Sequence, residues 1–200
     1  MPVLPDPPPG TKRSSLPTWR VTAGAYASMG LVAELDLECL PEGYAYINGR
    51  AALAGDPYDC HDLALHDLAH YLVAPASRKM APNFGLGPHP TVDEPNRSLQ
   101  KVTDGVQGRE EGTACVLTVL LSLAVFGEVS SDSVARILST DNWSRLRNDL
   151  GRVANNQISF LTLYKLKLLV PGTCQLSLPP PLHAYVKANG KGPLKACLGP

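Results

Sequence analysis

The segment Ala114–Phe126, ACVLTVLLSLAVF, constrains the fold of this 200-residue chain more than any other. From Cys115 onward it is apolar nearly all round, so as a helix it offers no face to water and belongs at the centre of a core. Thr103 or Asp104 is placed to cap this helix, and Gly127 to end it in a left-handed turn. The run is too short to span a bilayer, and Thr118 and Ser122 interrupt it. Its first turns carry Arg109, Glu110 and Glu111, a polar end on a buried rod. Acidic residues there also complement the helix dipole.

The rest of the chain reads as further helices around that rod. Residues 1–17 hold Pro2, Pro5, Pro7, Pro8, Pro9 and Pro17 and almost nothing to bury, so an extended arm is expected. Residues 18–170 form the expected helical domain, and 171–200 a Pro/Gly-rich extension read as loop. Ala23–Leu37 is a candidate helix weakened by Gly24 and Gly30. Tyr44, Tyr46 and the Asn48-Gly49 pair predict a short strand and tight turn. Apolar spacing over 141–169 fits one or two helices broken near Gly151 or Asn155-Asn156. The expected fold class is therefore mainly α: a single compact helical domain with a short β-hairpin.

The chemistry concentrates in His61–His70, HDLALHDLAH, which holds three of the five histidines with Asp62 and Asp67 between them. Asp56-Pro57 is a helix-start signal, and Pro75 stops the helix it would begin. On that helix His66 and His70 lie four apart, one turn above the other on the same face. Two imidazoles so placed supply half of a tetrahedral zinc site, and a third ligand must come from another element. Glu111, with Glu110 as the fallback, stands on the polar end of the buried helix. Asp62, one turn before His66, is placed to hold that imidazole from behind, with His61 beside it. The long segment Pro75–Lys101, containing Phe84-Gly85-Leu86-Gly87, reads as a loop with a mobile lid tip shaping a cleft.

His66-Asp67-Leu68-Ala69-His70 resembles the HExxH helix of the zincin metallopeptidases, with Asp in place of Glu. The resemblance implies a helix pair at the centre of the fold, with zinc held by His66, His70 and Glu111. It implies Asp67 as the base that takes a proton from water activated by the metal. Asp is one methylene shorter than Glu, and misplacement on that scale costs on the order of a hundredfold in rate. The pairs His61-Asp62 and His66-Asp67 also resemble the core of the HD phosphohydrolases. That family needs a histidine on an earlier helix, and none precedes His61.

Eighteen basic residues balance eighteen acidic ones, which leaves no electrostatic case for nucleic acid or an anionic membrane. Five cysteines without a CxxC pair, and an opening MPVLPDPPPG unlike a signal peptide, favour a reducing cytosol. The functional expectation is a zinc-dependent hydrolase of peptide or amide bonds acting on a peptide or protein. The alternative is a non-catalytic helical interaction protein, a phage-type or accessory factor that binds another macromolecule.

Overall fold

Along the chain the elements are α1 (Leu16–Ser28), β1 (Val32–Glu34), β2 (Tyr46–Ile47), β3 (Arg50–Ala52), a 3₁₀ turn (Leu63–Leu65), α2 (His66–Val73), a short turn (Pro82–Gly85), α3 (Asp104–Phe126), α4 (Asp149–Lys165) and α5 (Pro180–Asn189). The computed structural model describes residues 16–34, 45–52, 63–86, 101–127, 129, 149–173 and 175–191. The fold is mainly α, with one small sheet.

α3 is the axis. Its residues from Gly112 to Thr118, then Leu121, Ser122, Ala124 and Val125, are buried, as a helix apolar on every side requires. α2 and α4 lie along it, and α5 fits between α3 and α1. Each large apolar side chain taken from water here, such as Leu117 or Leu121, contributes roughly 1.5–3 kcal/mol. Gly127 closes α3 at φ 91° and its N–H donates to the Leu123 carbonyl, the left-handed stop expected from sequence. Among the described residues no helix is long and apolar enough to cross a membrane.

The sheet has the order β1-β3-β2. The hairpin pairs Tyr46 with Ala51 and Ile47 with Arg50 around Asn48 (φ 49°) and Gly49 (φ 81°). Two successive positive φ values are what a tight hairpin turn demands and what Asn-Gly tolerates. β1 pairs with β3 in parallel, where Arg50 grips both Glu34 oxygens at 2.8 and 3.0 Å.

Several expectations are corrected. The helix expected over Ala23–Leu37 is shifted to Leu16–Ser28, because Gly30 (φ 73°) turns the chain and Val32–Glu34 pairs into the sheet. The arm is accordingly helical from Leu16, with Pro17 in the first turn, where a missing N–H costs nothing. α4 runs unbroken through Gly151 and Asn155-Asn156, since packing along α3 outweighs weak local propensity. Pro180–Asn189, read as loop, forms α5. Its prolines occupy the cap and first turn, and Leu182 and Val186, four apart, are buried. Gly24 lets α5 come close: the Tyr185 ring occupies the space a Cβ would need, and its hydroxyl donates to the Val21 carbonyl at 3.0 Å. The helix start expected at Asp56-Pro57 lies outside the described residues; within them α2 begins at His66, after the 3₁₀ turn.

Candidate metal centre

α2 begins with a histidine and has no side chain of its own to cap it. Its N-cap is Leu65, which offers no acceptor. The missing acceptor comes from α1: the Tyr26 hydroxyl accepts the Leu68 N–H at 3.1 Å and donates to the Ala64 carbonyl at 2.9 Å. Burial, then the nearby Asp67 charge, hold the Tyr26 pKa well above its ordinary value, so the group stays a hydroxyl. One buried tyrosine thus fixes the first turn of α2 and the backbone that carries His66.

From that anchored turn, His66 and His70 project toward α3 with their rings edge to face and centroids 4.5 Å apart. His66 Nε2 lies 3.0 Å from His70 Nε2 and 3.0 Å from Glu111 Oε1. His70 Nε2 lies 3.1 Å from Glu111 Oε2. The Glu111 carboxylate therefore straddles two imidazole nitrogens that also face each other. Three ligand atoms on one tetrahedral zinc, with bonds near 2.0–2.1 Å, stand about 3.3 Å apart. Each of the three separations lies within a few tenths of an ångström of that spacing, with one Glu111 oxygen facing each imidazole.

Thr118, two turns beyond Glu111, sets the proton inventory. Its hydroxyl donates to the Ala114 carbonyl at 2.7 Å and lies 3.2 Å from His66 Nδ1. A hydroxyl has one proton, so while Thr118 donates it to Ala114 its oxygen can only accept from His66, with the hydrogen on Nδ1. In neutral His66 the Nε2 lone pair then points at a carboxylate oxygen. Two acceptors 3.0 Å apart repel unless a cation lies between them, either a proton on Nε2 or a metal ion.

The titration behaviour agrees. Burial pushes His66 toward the neutral form, but the hydrogen bond and charge of Glu111, with the Asp67 charge, outweigh it and raise its pKa. Glu111 goes the other way. Burial would raise it, yet the charge of His70 and the hydrogen bonds from both histidines hold it well below the usual carboxylate range. For Asp67 burial dominates; His66 and His70 pull its pKa down, Glu111 pushes it up, and the net shift is upward.

The other wall is a left-handed turn. Asn83 (φ 42°), Phe84 (φ 56°) and Gly85 (φ 69°) all have positive φ. A bulky residue there is strained by roughly 1–2 kcal/mol. Phe84 is held there by two ring contacts: it stacks on Tyr46 at 4.0 Å and on His70 at 5.4 Å. The Asn83 side chain accepts the N–H groups of Ala45 and Tyr46, tying the turn to the sheet. Of the expected lid tip, Phe84, Gly85 and Leu86 are buried and the Lys101 N–H donates to the Gly85 carbonyl at 2.9 Å, while Gly87 lies outside the described residues.

Of the residues singled out from sequence, His66, His70 and Glu111 are brought together, with Asp67 beside them on α2. Glu110 is not part of the cluster. It pairs with Arg78, whose other nitrogen donates to the Phe84 carbonyl at 2.8 Å, so its role is to brace the turn. His61 and Asp62 lie outside the described residues. Cys115 is the residue sequence reasoning missed. His66, Glu111 and Cys115 each offer a ligand atom, all within 4.8 Å of one another, and such a group can hold a metal ion. Glu111, Cys115 and Thr118 are spaced i, i+4, i+7, a polar seam on one face of an otherwise apolar helix, and that spacing was the available signal.

No family model, curated protein or solved structure matches the chain, so a functional reading rests on this cluster.

Proposed function

We propose that the chain is a zinc-dependent hydrolase of peptide or amide bonds, with His66, His70 and Glu111 as the metal ligands. The observation that carries this reading is the convergence of two imidazole nitrogens 3.0 Å apart with one Glu111 oxygen on each, at 3.0 and 3.1 Å. When bound, zinc polarises a carbonyl and lowers the pKa of water to about 7. His66 and His70 each present Nε2, and Glu111 gives the site its negative charge. Asp67, adjacent to His66 with a carboxyl pKa raised by burial, takes a proton from the attacking water and returns it to the leaving amine.

Cys115 favours a second reading. If its thiolate is a fourth ligand, the sphere is closed, the zinc is structural, and the protein is a helical interaction module. Metal content of untagged protein beside a His66→Ala/His70→Ala double variant tests the site; about one zinc per chain, lost in the variant, is expected. Protein that takes up no zinc when zinc is supplied overturns both readings. Cobalt substitution then separates them. A thiolate-to-cobalt charge-transfer band identifies the closed site, and its absence leaves the hydrolase, for which Asp67→Glu is the gain-of-activity variant.

A further inference from the structure

The seam on α3 carries a group that neither reading uses as a ligand. Thr118 is wholly buried, its hydroxyl proton is committed to the Ala114 carbonyl at 2.7 Å, and its remaining lone pair faces His66 Nδ1 at 3.2 Å. We infer that Thr118 is the positioning residue of the metal centre: it holds His66 as the Nδ1–H tautomer and so keeps the Nε2 lone pair on the ligand side. This inference rests on the metal-binding reading and adds which residue sets its affinity.

The argument is one of hydrogen-bond supply. Were His66 the Nε2–H tautomer, Nδ1 would need a donor, and Thr118 would have to turn its hydrogen away from Ala114. The hydroxyl and carbonyl oxygens would then face each other at 2.7 Å inside the core with no hydrogen between them. In metal-free protein the Glu111 carboxylate, 3.0 Å from Nε2, draws a hydrogen to that nitrogen. Once a metal takes the Nε2 lone pair, hydrogen on Nδ1 facing Thr118 is the arrangement that leaves no buried hydrogen bond unmade. The ordering runs outward through three groups, from the Ala114 carbonyl to the Thr118 hydroxyl to the His66 ring. Partners on the far nitrogen of a ligating histidine fix its ring and tautomer in this way, and their removal typically weakens metal binding 10- to 100-fold. Thr118 has no route to the metal itself, since its oxygen meets the ring on the opposite nitrogen.

Two measurements test this. The first compares zinc affinity of the wild type, Thr118→Val and Thr118→Ser, with thermal unfolding of the metal-free proteins as the control. Valine keeps the shape and removes the acceptor. We expect zinc binding weakened about 10- to 100-fold in Thr118→Val and restored in Thr118→Ser. Equal zinc affinity in wild type and Thr118→Val overturns the inference and leaves the metal site standing. The second reads ¹⁵N shifts of the His66 ring in zinc-loaded wild type. Metal on Nε2 with hydrogen on Nδ1 supports the inference, and metal on Nδ1 overturns it while leaving the metal site standing. Failure to take up zinc overturns the metal-binding reading and the role of Thr118 together.

Discussion

Replacing Tyr26 by phenylalanine removes one oxygen from the core and nothing else. That oxygen serves two backbone groups 38 and 42 residues away, the Ala64 carbonyl and the Leu68 N–H. Leu68 is among the first residues of a helix whose N-cap, Leu65, supplies no acceptor, so no other side chain takes over the N–H. Tyr26, Leu65 and Leu68 are all fully buried, which keeps water from replacing the lost partner. Each buried backbone group left unpaired costs about 1–3 kcal/mol, and relaxation of the turn brings the pair to about 2–4 kcal/mol. At about 2–4 °C per kcal/mol for a chain of this size, Tyr26→Phe should melt about 4–16 °C lower. The phenyl ring fits the same space, so no cavity contributes. Urea unfolding of metal-free protein measures the free energy, and zinc titration of the same samples measures whether the loosened first turn, which carries His66, also weakens the site. A loss under about 0.5 kcal/mol with unchanged zinc affinity would refute the reasoning, because a surface-sized effect cannot come from two orphaned buried groups.

Glu111→Gln should abolish zinc binding, whereas Glu110→Gln should keep it and lose about 1–2 kcal/mol in urea unfolding, through the half-buried Arg78 pair; equal zinc affinity in the two would contradict the assignment. In metal-free protein His66 is raised above 6.5, so its contribution is fully present below that pH and lost as pH rises through its folded value. Glu111 is lowered below 4.5, so its contribution is present above that pH and lost as pH falls through its folded value. The stability difference between wild type and Glu111→Gln should therefore peak between pH 4.5 and 6.5, and a flat profile would sink the pairing. Phe84→Ala should cost about 3–5 kcal/mol through lost stacking, and Phe84→Gly about 1 kcal/mol less, since only glycine is at ease at φ 56°. If glycine proves the worse of the two in urea unfolding, the strain assigned to Phe84 is absent.

How much of this was legible from sequence follows the range of the forces involved. The α3 rod and its Gly127 stop, the Asn48-Gly49 turn, and the end of α2 before Pro75 are set by steric and solvation rules acting within a few residues, and sequence determined them. The spacing of His66 and His70 is equally local, one helical turn. What the tertiary structure alone decided is which partner each of these groups meets. Glu111 and Glu110 are neighbours with the same chemistry, yet a step of 100° around α3 sends one to the histidines and the other to Arg78. Tyr26, Phe84 and Thr118 act on α2 from separate elements, where no periodicity in the α2 segment could announce them. Local geometry is written in neighbouring residues, whereas a convergent site depends on how buried helices rotate against one another, and that rotation is settled only when the whole core packs.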